Sequence, residues 1–379
     1  MQGIIGVAMF EWAWAKTIRC REGQEELYAE FPSYRRPDVA KWSKWKFYPW
    51  CFLFCIPRVV TIVSAFGFLG IVLKILFIGQ EKDKPLTGIR GVIYKVVFWV
   101  TCTIKVAGFG YRIKAETPDA DYSEYLGPNY KEQKFTKKRV STLVSNHITF
   151  VDILVWNTVM HPPSYACAAF VRKMPLGHIW TDGMNCVYIE RSQDKEGLDK
   201  TVDALNERQE IIENSDLPYA PLCIFAEATV TNGINLSRFR RGAFSGLHPV
   251  MPAHIKYDYG MVAPDYCTLL GLPLGILQCS ELSFNTATTT TYPVFIPNEY
   301  LFTEYAKTIP DYQSLEKWEI YAHAVNDFTR KAGNFGVNSQ AIREKISLGQ
   351  FVRGQKNEIT INDKTFHWPP HKEAAKKQD

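Results

Sequence analysis

The spacing of apolar positions changes character near residue 112. Before that point, residues 59–78 are apolar apart from Lys74. Twenty helical residues reach roughly 30 Å, the thickness of a bilayer's hydrocarbon core. Pro57-Arg58 marks the start of that helix, and Lys74 sits close enough to its end to snorkel. A second helical pattern follows the polar break at 81–85, with Ile89, Val92, Ile93, Val96, Val97, Val100, Ile104 and Ala107 at helical spacing. Arg90, Lys95 and Lys105 make it amphipathic, which predicts an interfacial helix. The pair reads equally as one span beside an interfacial helix or as two helices that dip in and return.

From about residue 112 short apolar runs alternate with helical patterns. Residues 142–145, 165–170, 186–189, 222–225, 250–257 and 292–296 read as strands, and Leu198, Val202, Leu205 and Ile212 mark a helix with a charged outer face. Strands alternating with helices predict an α/β fold, a mixed β-sheet covered by helices, behind an N-terminal membrane-embedded helical pair. The chain divides into a basic and aromatic membrane-proximal segment (1–49), the membrane helical pair (50–111), a catalytic-type α/β domain (112–340) and a polar tail (341–379), of which the part after Gly354 is expected to be disordered on its own. No internal repeat is present.

Composition adds three points. The net charge of +5 over 379 residues is mild, and no RNA-recognition or zinc-finger spacing accompanies it, so no nucleic-acid partner is expected. Aromatic residues make up 14%, with ten Trp, which suits a bilayer interface. Tyr34-Arg35-Arg36 and Lys41-Trp42-Ser43-Lys44-Trp45-Lys46 read as an anchor on an anionic membrane surface, with a solvated loop as the alternative. Glu11 and Lys16 interrupt the apolar start, so no cleavable signal is expected. Nine scattered cysteines without a Cys-x-x-Cys argue against a disulfide scaffold and a zinc site, and for a reducing compartment. The Asn235-Leu236-Ser237 sequon is then expected to be unused.

The chemistry concentrates in Asn146-His147-Ile148-Thr149-Phe150-Val151-Asp152. Two residues five apart on one continuous helix point about 140° apart. His147 and Asp152 therefore meet only if the histidine lies in the turn before a helix and the carboxylate in its first turns. There the carboxylate can hold one imidazole nitrogen and aim the other at a substrate hydroxyl, a general-base arrangement. Thr149-x-x-Asp152 also fits a helix cap, which leaves a structural reading of the same residues open.

Four further segments follow in order. Tyr188-Ile189-Glu190-Arg191 ends a strand with a cation suited to phosphate. Phe225-Ala226-Glu227-Ala228-Thr229-Val230-Thr231-Asn232-Gly233 leaves a strand through a polar loop carrying one carboxylate, which is costly at such a place unless it has a task or a partner. Arg238-Phe239-Arg240-Arg241-Gly242-Ala243 is basic, and Pro249-Val250-Met251-Pro252-Ala253-His254-Ile255 enters a strand bracketed by prolines. His178, His248, His254 and His323 lack a matched carboxylate at a motif position and read as structural or surface histidines.

In this order over residues 140–256, the blocks resemble the glycerolipid acyltransferase family, which acylates glycerol-3-phosphate and lysophospholipids from acyl-CoA. Arg240-Arg241-Gly242-Ala243-Phe244, Pro57-Arg58 and Tyr321-Ala322-x-x-Val325 suit its lysophosphatidylcholine acyltransferase branch. The resemblance implies His147 as general base, Asp152 as its orienting partner, and Arg191 and Glu227 as an acceptor-site pair. Asn146, Thr229 and Gly233 would complete the substrate-binding loops. It implies acyl-CoA as co-substrate, no cofactor, no metal and no acyl-enzyme. The partners it implies are membrane phospholipids, with the active face on the cytosolic side of the endoplasmic reticulum. The calcium-binding extension and luminal retention signal of some relatives are not expected.

One loop departs from the family. Ala226-Glu227-Ala228 stands where the family has Pro-Glu-Gly, and a Cβ at a position requiring positive φ costs about 1 kcal/mol. That departure supports a rival expectation. The chain would be a weakened or silent acyltransferase-like, lipid-binding subunit of a larger membrane complex, with the mitochondrial inner membrane as its home and partners holding its terminal segments in order.

Overall fold

The computed structural model describes residues 1–22, 25–174, 177–189, 195–268, 271–282 and 284–369. The expected α/β fold is present. Seven strands form one sheet: β1 (Tyr111–Glu116), β2 (Thr142–Ser145), β3 (Ser164–Ala168), β4 (Val187–Ile189), β5 (Leu222–Phe225), β7 (Val250–Asp258) and β8 (Asn285–Thr291). Their order is β1-β8-β7-β2-β5-β3-β4, and only β7 and β8 run antiparallel. β2 lies at the centre, with Thr142 opposite Leu222 of β5 on one side and Val250 of β7 on the other. A three-residue strand β6 (Asn235–Ser237) pairs with β9 (Gly336–Asn338) outside the sheet.

Helices of nine residues or more are labelled α1 (Gln2–Ala15), α2 (Lys44–Leu76), α3 (Gly88–Gly108), α4 (Val151–Met160), α5 (Lys195–Asn214), α6 (Gly271–Cys279), α7 (Lys317–Ala332) and α8 (Ile342–Val352). Alternation along the strands divides them between two layers. Val144, Leu222, Ile224 and Val250 pack against Leu205 and Ile212 of α5 and Ile320, Tyr321, Val325 and Phe328 of α7. A reciprocal capping box between Glu316 and Glu319 starts α7. Val151, Leu154 and Val155 of α4 turn the other way and join α1, α2, α3 and α6 in a second core.

The two apolar helices form, with altered boundaries. The helix expected from Pro57 begins at Lys44 and runs 33 residues, because Pro49 is absorbed by a π-helical turn at Cys51–Cys55. α1 packs onto that turn, where a side chain at Gly6 would collide with the Cys51 carbonyl. α2 and α3 are both long and apolar enough to cross a membrane. Their outward faces carry Val63, Phe68, Ile71 and Ile75, and Ile89, Val92, Val96 and Trp99. Lys105, expected to help make α3 interfacial, instead turns inward and lies 4.1 Å above the Phe66 ring.

Three expectations are corrected. Tyr34-Arg35-Arg36 is not a surface anchor: Tyr34 is buried, and the Arg36 guanidinium is buried on Asp38 at 2.7 Å beside Asp265. From the second cluster, Lys41, Trp45 and Lys46 are exposed, while the Trp42 indole donates to the Met261 carbonyl. Residues 292–296 are not a strand. They make one bridge, Val250 to Phe295, and the strand is the preceding Asn285–Thr291. The tail is not disordered over its described part: β10 (Glu358–Ile361) and β11 (Lys364–His367) form a hairpin. Its turn residues Asn362 and Asp363 both take positive φ, the geometry that matches strand twist. Ile359 and Phe366 bury against α8, Phe31, Tyr34 and Val230. Residues 370–379 lie outside the described residues.

Candidate active site

β2, β5 and β7 are parallel, so their carboxyl ends deliver three loops to one sheet edge. The first holds His147. Its ring lies flat on Phe225 at the end of β5, with centroids 4.0 Å apart and planes 10° apart. Nδ1 is 2.8 Å from Asp152 Oδ2. The histidine lies in the turn and the carboxylate in the first turn of α4, as the five-residue spacing required.

Asp152 is fully buried and fully occupied. Oδ2 also accepts from the backbone N–H groups of Ile148 (2.7 Å) and Thr149 (3.0 Å), and Oδ1 accepts from the Tyr257 hydroxyl (2.6 Å). Burial, then the Asp152 charge, pushes the Tyr257 phenol well above its ordinary range, so it stays a donor. An acceptor-only carboxylate on Nδ1 places the ring proton there and leaves Nε2 with a lone pair. The cap reading is met in one half only: Asp152 accepts from the Thr149 N–H, but α4 begins behind Phe150 with no side-chain cap. Tyr266, on the loop after β7, brings its hydroxyl to 3.5 Å from Nε2, longer than a good hydrogen bond.

Glu227 lies next to this pair and is bonded to its backbone. It is 1% exposed, with Oε1 accepting from the His147 N–H (2.9 Å) and Oε2 from the Ser237 N–H (2.8 Å). Burial pushes its carboxyl up to about 7, against the pull of those two N–H groups. Glu227 thus braces the histidine backbone, while Arg191, its expected partner at the acceptor, lies outside the described residues. Asn146, expected to bind substrate, is buried and bonded to backbone. Its amide donates to and accepts from the backbone of Ile255 at 3.0 and 2.8 Å, extending the β2–β7 ladder past the end of β2. Arg191 and Glu190 lie outside the described residues.

The Glu227–Gly233 loop closes the site. Thr231 N–H donates to the His147 carbonyl at 3.0 Å, a second link between loop and histidine. Thr229 is half-buried, and its hydroxyl accepts from Lys345 at 2.8 Å. Gly233 has φ +79°, and a Cβ there would sit 2.6 Å from Ile148, one residue past the histidine. Ala228, the departure from the family pattern, does take positive φ, at +53°. The loop keeps the glycine-type backbone and carries the strain of a side chain.

Sequence reasoning missed Tyr257, Phe225 and Tyr266 as neighbours of the pair, and Lys345 as a neighbour of the Glu227 loop. Phe225 stood in a recognised block. The other three come from β7, the loop after it and α8, with no local motif to flag them. His248 is structural, as expected, with a partner the sequence did not show: its Nδ1 lies 3.1 Å from Glu213 Oε2, in a buried group with Ser141. His254 is held neutral by burial, down to about 4, and His323 meets the Tyr305 hydroxyl at 2.9 Å. Among the described residues no group of three or more His, Cys, Asp or Glu could hold a metal ion.

Comparison with known proteins falls on the same region. Residues 129–256 match the family model Acyltransferase. A lysophospholipid acyltransferase of Arabidopsis thaliana is 34% identical over 179 residues, which is 44% of this chain and 43% of the relative. A lysophosphatidylcholine acyltransferase of Drosophila melanogaster is 26% identical over 201 residues, 52% of this chain and 34% of the relative. The match thus spans less than half the length of either relative. The crystal structure of PlsC, the 1-acyl-sn-glycerophosphate (LPA) acyltransferase of Thermotoga maritima, is similar over 74% of this chain and 95% of that one. Their identity is 14% and the TM-score 0.42. The segment that matches the Acyltransferase model encloses His147, Asp152 and the Glu227 loop, so the likeness falls on the residues of the candidate site.

Proposed function

We propose that the protein is a membrane-bound O-acyltransferase that esterifies a lysophospholipid from acyl-CoA, with His147 as general base. The observation that carries this reading is the 2.8 Å contact between Nδ1 and a buried, fully bonded Asp152, which leaves Nε2 open toward the Tyr266 loop. Nε2 takes the proton of the acceptor hydroxyl as its oxygen attacks the thioester carbonyl. Asp152 supports the imidazolium that forms, and the proton then passes to the departing CoA thiolate. Ester and free thiol are the products, so the atoms balance without a metal or an acyl-enzyme.

The acceptor class follows the relatives, whose names specify lysophospholipid and lysophosphatidylcholine. Arg191 and Thr229 are the residues proposed to meet the acceptor. Asp152, Glu227, Asn146 and Gly233 hold the loops in shape. A bilayer supplies such an acceptor directly, and the exposed apolar faces of α2 and α3 support insertion beside the site.

The test is purified protein in detergent with an acyl-CoA and a panel of lysophospholipids, following free thiol and product mass. A new diacyl product with matching thiol release is expected, and it names the acceptor. A folded, lipid-bound protein without turnover on any acceptor would overturn the reading and favour a lipid-binding subunit of a larger assembly.

A further inference from the structure

The segments outside the matched acyltransferase region close over the catalytic loop from two sides. From the N-terminal side, the Asn232 side chain donates to the carbonyls of Pro32 (2.8 Å) and Arg35 (3.0 Å), and its N–H donates to Ser33 (2.9 Å). From the C-terminal side, Lys345 on α8 donates to the Thr229 hydroxyl at 2.8 Å and the Val230 carbonyl at 2.6 Å. Beneath these contacts Val230 joins a core made of Phe31, Tyr34, Leu348 and Phe351.

Lys345 is a poor choice for the helix that carries it. α8 starts at Ile342, so the ammonium sits within its first turn, where the helix dipole opposes a cation. Its contacts go instead to the loop that contains the strained Ala228. Such a backbone persists only when its surroundings over-determine it, and the Asn232 and Lys345 contacts do so on either side. The loop then transmits its position to the histidine through Thr231 N–H and through Glu227, the two groups that fix the His147 backbone.

We propose that Lys345 is a positioning residue of the His147 centre: it holds the Glu227–Gly233 loop in the conformation that fixes the histidine, which makes α8 part of the active site. This rests on the acyltransferase reading for its consequence in turnover, and on the hydrogen bonds alone for its consequence in loop order.

The test compares wild type, Lys345→Met, Lys345→Arg and, as a control on the exposed side of the same helix, Arg343→Ala. In detergent-solubilised protein, Lys345→Met is expected to lower kcat about tenfold or more while KM for acyl-CoA stays within about twofold. Lys345→Arg recovers most of the rate, because a guanidinium can donate to both oxygens. Hydrogen exchange at the amides of His147 and Thr231 is expected to quicken about tenfold in Lys345→Met and to stay unchanged in Arg343→Ala. Wild-type turnover with kcat and exchange unaltered in Lys345→Met would overturn the inference and leave the acyltransferase reading standing. Equal losses in Lys345→Met and Lys345→Arg, with a matching fall in melting temperature, would also overturn it, by showing general destabilisation. If wild type shows no turnover, the acyltransferase reading falls, and the exchange measurement alone decides whether Lys345 orders the loop.

Discussion

Asp152→Asn isolates the charge of the His147 partner with little change of shape. An amide oxygen in place of Oδ2 still accepts from Nδ1–H and from the Ile148 and Thr149 amides. The amide nitrogen then faces the Tyr257 oxygen, which can turn its hydroxyl to accept. The opposite orientation would set an NH₂ group against two backbone N–H donors, so the native geometry is kept. What is lost is the attraction between carboxylate and imidazolium. At 2.8 Å and an effective permittivity of about 20 this amounts to about 6 kcal/mol. The amide dipole returns part of it, roughly half, leaving about 3 kcal/mol, or about 10²-fold in kcat. The assay is steady-state thiol release from acyl-CoA at saturating lysophospholipid, with melting temperature measured alongside. A folded Asp152→Asn protein within about threefold of wild-type kcat would refute the argument that this carboxylate supports the transition state.

Two further outcomes follow from the Glu227 loop. Ala228 is exposed and held at φ +53°, so Ala228→Gly removes strain of about 1 kcal/mol without opening a cavity. The melting temperature should rise with activity retained, and a fall would show that the methyl group contributes packing. Glu227 is pushed from an ordinary 4.5 up to about 7, so the native state binds more protons than the unfolded state between those values. Its contribution to stability is therefore fully present below pH 4.5 and is lost as pH rises through about 7, by about 3 kcal/mol. Buried Asp265, pushed up to about 6, acts in the same direction, so the measurement is the difference between wild type and Glu227→Gln melting curves at pH 5 and pH 8. Equal pH dependence in the two proteins would refute the Glu227 assignment.

What the sequence disclosed was local. His147 and Asp152 were legible because a five-residue spacing across a strand-to-helix junction has one geometry that works, and the structure adopts it. β2, β5 and β7 were legible as apolar runs between turn residues. β8 was not, because Asn285-Thr286-Ala287-Thr288-Thr289-Thr290-Thr291 is polar and carries only β-branched propensity, while the more apolar residues after it make a single bridge. The N-terminal basic cluster misled because a buried guanidinium needs partners distant in sequence, and Asp265 lies more than two hundred residues away. The bracing role of Glu227 was hidden for the same reason. Its motif marked a working carboxylate, but its two backbone partners, at His147 and Ser237, appear only when the loop is folded.

The central claim is that His147 removes the acceptor proton. Its most direct test is the rate of thiol release by wild type and His147→Ala, with one lysophospholipid acceptor and matched folding. A loss of at least about 10²-fold in kcat, with the protein still folded and lipid-bound, is the predicted result. Turnover by His147→Ala within a few-fold of wild type would contradict the account.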